Sequence, residues 1–138
     1  MKKNMINFKM FSLGLSVISL SACQLVSPIF VDYNGVRRDV ATWINQQQLL
    51  SMQQKRSLVQ LSKAQQQLYR LDQMDESQKF QVAKDNAAAM HCANKYLTAN
   101  KIDQLQNVIF TDDKTEILSK YSNELPKIKL DEKSIICE

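Results

Sequence analysis

Glycine and proline are scarce: the 138-residue chain holds two of each. Strand-rich sandwiches need a turn every eight to twelve residues, and phosphate-cradling or dinucleotide-binding loops need clustered glycines, so both are excluded. Histidine and tryptophan occur once each, as His91 and Trp43. A lone histidine leaves little from which to build a Ser-His-Asp or Cys-His site, and no glycine elbow or oxyanion-forming turn accompanies it. Adjacent residues on a helix point about 100 degrees apart, so His91 and Cys92 do not form a ligand pair, and no second pair stands at usable spacing. The longest apolar run, Met10 to Leu20, is about half the roughly 20 residues a membrane-spanning helix needs.

What is present fits one helical domain. Hydrophobic residues make up 44% and charged residues 23%, as in an ordinary globular chain. The formal charge is +4, from 18 basic and 14 acidic residues, but Lys2, Lys3 and Lys9 lie in the first segment. Without them fifteen basic residues face fourteen acidic ones, so the electrostatic driving force for nucleic-acid binding is missing.

Residues 1–23 have a basic end, an apolar stretch and then small residues, the three-part pattern of a cleaved secretory signal. The ending Leu20-Ser21-Ala22-Cys23 resembles the lipobox of bacterial lipoproteins, in which diacylglycerol is joined to the cysteine thiol, the signal is cut before it, and the new amine is acylated, typically with palmitate. The resemblance covers residues 1–23 and implies lipidation at Cys23, with the membrane as partner through the anchor. Gln24, not Asp, follows the cysteine, which in enterobacteria-like sorting implies the outer membrane, with the domain on its periplasmic side. The expected organisation is a signal peptide over 1–22, a lipidated tether over 23–34 and a helical domain over 35–138.

With Cys23 lipidated, Cys92 and Cys137 remain, an even number in an oxidising compartment. A disulfide between them is expected; two free thiols and a metal site are the alternatives. Apart from the lipid on Cys23, no cofactor is expected.

From Val36, apolar residues at 36, 40, 43, 44 and 50 give a first helix over about 35–49. Ser51 can cap a second over 51–71, with Met52, Leu58, Leu61, Leu68 and Leu71 near one stripe. A third, over 76–97, carries Phe80, Ala83, Ala87, Met90, Asn94 and Leu97 at helical spacing. Thr98 can cap a fourth bearing Ile102, Leu105, Val108 and Ile109, and a further piece spans about 112–123. Leu125-Pro126 ends the regular pattern, and the tail reads as an extended strap returning Cys137 to the third helix. The fold class is thus all-α, a bundle of four to five helices.

Glutamine clusters between positions 46 and 81. Because the apolar period survives among these residues, they read as a solvated helix surface, with a polar face for a partner as the alternative. Asp75-Glu76, Asp112-Asp113 and Asp131-Glu132 fall at helix starts or loops, where acids serve the helix dipole, so an enzyme is not expected.

Two nonamers echo each other: Leu50 to Leu58 and Leu97 to Leu105 each place an apolar residue before a hydroxyl cap, with a leucine seven beyond the cap. In the first, Leu50, Ser51 and Gln54 resemble the Leu-Thr-x-x-Gln motif of the Spy/CpxP family of periplasmic helical proteins. In the second, Lys101 stands where Gln is expected. The same pattern is what a stapled helix start requires on its own. The resemblance implies an all-helical, curved, antiparallel arrangement that binds unfolded clients or a sensor protein. The functional expectation is a non-enzymatic envelope lipoprotein that binds another protein, as an accessory or chaperone-like module. Its contact face is expected on the first two helices, including Trp43, Gln47, Gln54 and Leu58, with a core anchor as the alternative role of the lone Trp43. A small envelope hydrolase or metal-binding protein is the alternative.

Overall fold

In the computed structural model, which describes residues 31–138, the chain runs through α1 (Arg38–Asn45), α2 (Met52–Gln66), α3 (Glu76–Tyr96), α4 (Ala99–Phe110) and α5 (Lys114–Glu124). 3₁₀ turns follow at Gln67–Gln73, Thr111–Asp113 and Glu132–Ser134, and there is no strand among the described residues. The fold is all-α. The signal peptide, Cys23 and the tether as far as residue 30 lie outside the described residues.

Three helices begin where an oxygen-bearing side chain closes the first turn. The Ser51 hydroxyl accepts from the Gln54 N–H, and the Gln54 side chain accepts from the Ser51 N–H, a reciprocal capping box. Asp75 and Gln78 repeat it at the start of α3. Thr98 caps α4 through the Lys101 N–H alone. Each cap satisfies backbone donors that have no partner inside the helix, at about 1 kcal/mol apiece.

α2 and α3 run antiparallel: Gln54 at the start of α2 donates to the Tyr96 carbonyl at the end of α3, and Asn86 in mid-α3 donates to the Ala64 carbonyl. Among the fully buried side chains are Val40 and Ile44 of α1, Leu58 and Leu61 of α2, Leu105, Ile109 and Phe110 of α4, and Ala93 of α3. Burying one such leucine contributes roughly 1.5–3 kcal/mol.

Several expected boundaries shift. α1 stops at Asn45 rather than 49, because Gln46 to Leu50 turn the chain toward the Ser51 cap, with the Gln47 N–H on the Ile44 carbonyl. α2 ends at Gln66 and tightens into 3₁₀ geometry over the stretch expected to stay α-helical to 71. α3 turns inward a face that only partly matches the expected stripe: Ala83 and Leu97 are buried and Met90 packs on the core as expected, but Val82, Asn86, Ala89 and Ala93 are buried too, whereas Phe80 is 53% exposed and Asn94 is exposed. Alanines let α3 approach α2 closely, and the Asn86 amide is satisfied by two carbonyls, Ala64 and Val82, so a polar residue sits on the buried stripe at little cost.

After α5, Leu125 is buried and Ile128 packs on the core. The strap then crosses to a disulfide between Cys92 and Cys137, whose Cα atoms lie 5.5 Å apart across 45 residues of sequence.

Candidate functional site

Trp43 and Gln47 stand one turn apart on α1 and its extension, and both are half-buried. The Gln47 amide donates to the Trp43 carbonyl at 3.2 Å and receives the Lys101 ammonium on its Oε1 at 3.0 Å. That ammonium lies 5.6 Å from the centre of the Trp43 ring and also donates to Gln104 at 2.8 Å. Lys101 reaches this position because Thr98 starts α4 beside α1, and because a lysine in the first turn leaves its head free where a glutamine would complete a capping box. A cation over an indole face contributes about 0.5–1 kcal/mol at a partly exposed site.

Beside this cluster the turn from α1 to α2 carries Leu49, which is 99% exposed, and the half-buried Leu50. Gln46, Gln47, Gln48, Leu49, Leu50 and Lys101 line a shallow surface depression. A large aliphatic side chain held wholly in water on the rim of a depression that also holds Gln47 and Lys101, whose ammonium in turn lies over the Trp43 ring, has the composition of a protein-contact patch: an apolar anchor, a positioned cation and a polar rim.

Of the four expected contact residues, two meet here and two do not. Leu58 is a correction: it is fully buried in the core and cannot face a partner. Its place seven residues beyond the Ser51 cap turns it inward with Leu61. Gln54 is half-buried, with its amide oxygen on Ser51 and its nitrogen on Tyr96, so its polar atoms serve the helix ends. The sequence reading missed Leu49 and Lys101. The Leu49-Leu50 pair held a signal, since a single apolar residue suffices before a helix cap.

The glutamine-rich surface is solvated in part, with Gln46, Gln48, Gln67, Gln73, Gln78 and Gln81 exposed, but other glutamines are engaged. Gln66 accepts from the Arg37 N–H at 2.8 Å, Gln53 donates to the Glu138 main-chain oxygen at 2.7 Å, and Gln60 donates to the Ile136 carbonyl at 3.0 Å. Gln65 is buried with its Oε1 unpaired.

Elsewhere, a groove of about 750 Å³ is lined by Gly35, Arg37, Lys63, Tyr69, Arg70 and Met74. Two of its three cations are engaged: the Arg37 guanidinium donates to the Val108 and Ile109 carbonyls and pairs with Asp39, and Lys63 lies 3.9 Å from Glu138. Arg37 therefore closes the C-terminal end of α4, helped by the Tyr69 hydroxyl on Ile109. The guanidinium in turn holds the Asp39 carboxyl below its ordinary value. His91 borders an open depression with Asn94, Lys95, Glu132 and Lys133. Among the described residues no three His, Cys, Asp or Glu side chains converge on a metal-sized site.

No family model, no curated protein and no solved structure matches this chain, so the patch around Trp43 and Leu49 rests on its own geometry.

Proposed function

We propose that this protein is a non-enzymatic lipoprotein, anchored through acylated Cys23 to the periplasmic side of an outer membrane, and that it binds another envelope protein as an accessory or chaperone-like module. The anchor rests on the sequence of residues 1–23. The binding role rests on one observation above all, the fully exposed Leu49 on the rim of the depression lined by Gln47 and Lys101, whose ammonium lies over the Trp43 ring. An isolated leucine in water needs no explanation on a monomer. One sharing a depression with a cation that is fixed over a half-buried tryptophan carries the features of a contact surface.

Crosslinking in intact membranes tests this reading. Leu49→Asp removes nothing from the core, so it is expected to leave thermal unfolding unchanged while abolishing the crosslinked partner bands of the natural chain. Trp43→Ala is expected to lose the same bands with a moderate loss of stability, since the ring is only half-buried. Identical bands for Leu49→Asp and the natural chain would remove the patch from the function. Mass analysis of the mature N-terminus checks the anchor separately: an unacylated chain starting elsewhere than Cys23 would overturn it and leave the patch argument standing.

A further inference from the structure

The strap is held to the bundle in an unusual way. The side-chain amide of Gln60 pairs with its backbone on two sides, donating to the Ile136 carbonyl at 3.0 Å and accepting, more weakly, from the Glu138 N–H at 3.4 Å. Those backbone groups belong to residues two apart, the spacing at which an extended strand presents its carbonyl and N–H on one edge. Gln53, seven residues earlier on the same face of α2, donates to the Glu138 main-chain oxygen at 2.7 Å. Between the two glutamines on that face Ser57 is fully buried, with a hydroxyl that has no hydrogen-bond partner among the described residues.

Side-chain burial contributes little here, because Ile136 is 80% exposed. The covalent bond to Cys92, which is fully buried in α3, is the lock. The arrangement is that of an extended peptide added along a surface: main-chain hydrogen bonds give the attachment and a single side-chain position gives the register.

We infer that the α2–α3 surface under the strap, marked by Gln53, Gln60, Lys63 and Cys92, is a binding site for an extended polypeptide backbone, filled in cis by residues 135–138, and that when the Cys92–Cys137 bond is reduced it takes the same segment from a second copy of this chain. The second copy is the occupant because the site is already complementary to that segment. Cys137 sits in register with Cys92, Ile136 and Glu138 meet Gln60, and the Glu138 carboxylate lies 3.9 Å from the Lys63 ammonium. Exchange of an identical segment between protomers requires no new contact.

The chemistry balances with reagents from outside the chain. A dithiol reductant gives two electrons and two protons, leaving Cys92 and Cys137 as thiols and itself as a disulfide. Reoxidation by glutathione disulfide joins Cys92 of one copy to Cys137 of another and releases two glutathione thiols.

The test uses the full chain carrying Cys23→Ser, so that two thiols remain. Isotopically light and heavy chains are mixed, reduced, reoxidised with glutathione disulfide over a range of concentrations, and digested without reduction. The expected result is light-to-heavy joining of the Cys92 and Cys137 peptides, in a fraction that rises with concentration. Joining only within one isotope at every concentration would overturn the proposal. A second arm uses Cys137→Ser chains and a synthetic peptide of residues 132–138 carried as its glutathione mixed disulfide. Capture at Cys92 is expected to be at least about tenfold faster than for a scrambled peptide with its cysteine in the same place, equivalent to about 1.4 kcal/mol. Gln60→Ala is expected to erase that preference. Equal rates for both peptides would mean that thiol chemistry alone drives capture and would refute the site.

Discussion

The core face and the flanks of α2 do different work with different chemistry. The core face presents Leu58 and Leu61, fully buried against the other helices. On its flanks stand Gln53 and Gln60 on one side and Gln66 on the other, whose amides hold the backbone at both ends of the described chain: Gln66 the entry at Arg37, Gln53 and Gln60 the strap. Apolar contact is strong and indifferent to direction. An amide contact is weak on balance, because it replaces bonds to water, but it is directional and leaves the bound segment removable. Stability is therefore expected on the core face and positioning on the flanks.

Leu58→Ala should have the largest effect, a loss of up to about 5 kcal/mol in urea unfolding, because it opens a cavity in a fully buried site. If it costs no more than a surface change, the core face has been misassigned. Next comes Cys92→Ser with Cys137→Ser. Removing a crosslink across 45 residues frees the unfolded chain and should cost about 4 kcal/mol at most on the chain-entropy model. Since the strap adds little buried side chain, the helical circular dichroism signal at room temperature should survive. Its collapse would mean that the bundle depends on the strap.

Gln60→Ala should cost about 1 kcal/mol, without moving the leucine core.

Surface ion pairs give the smallest effect, and its sign can be stated. Arg37 holds the Asp39 carboxyl, and Lys114 the Asp103 carboxyl, below the ordinary 3.8. Groups whose folded pKa is depressed stabilise the fold above the unfolded value and lose that contribution as pH falls through the folded one. The Tm should thus be level from about pH 5 upward to neutrality and fall below about pH 4, with Asp39→Asn and Asp103→Asn each flattening the fall. An unchanged acid limb in both variants would show that the pairs are screened out.

Much of this fold was legible in the sequence where chemistry is local. Ser51 and Thr98 announced two helix starts to the residue, since capping depends on a side chain and the next turn, and the start of α3 was narrowed to Asp75 or Ser77, of which Asp75 is the cap. The return of Cys137 to Cys92 followed from thiol arithmetic. What was not legible depended on partners distant in sequence. The stripe read for α3 through Phe80 and Asn94 fits helical spacing as well as the true one through Val82, Asn86 and Ala93, and only the approach of α2 decides between them. The purpose of Gln53 and Gln60 could not be read because their partners lie 85 and 76 residues away. Lys101 was noted as a departure from the echo of the first nonamer, yet its seat over Trp43 required knowing that α4 starts beside α1.

Amide hydrogen exchange before and after reduction of the disulfide tests the division of α2 most directly. The account predicts that on reduction the amides of residues 132–138 lose their protection, while those of Leu58, Leu61, Ala89 and Ala93 keep theirs. Loss of protection in α2 and α3 together with the strap, or a strap that stays protected without its disulfide, would contradict it.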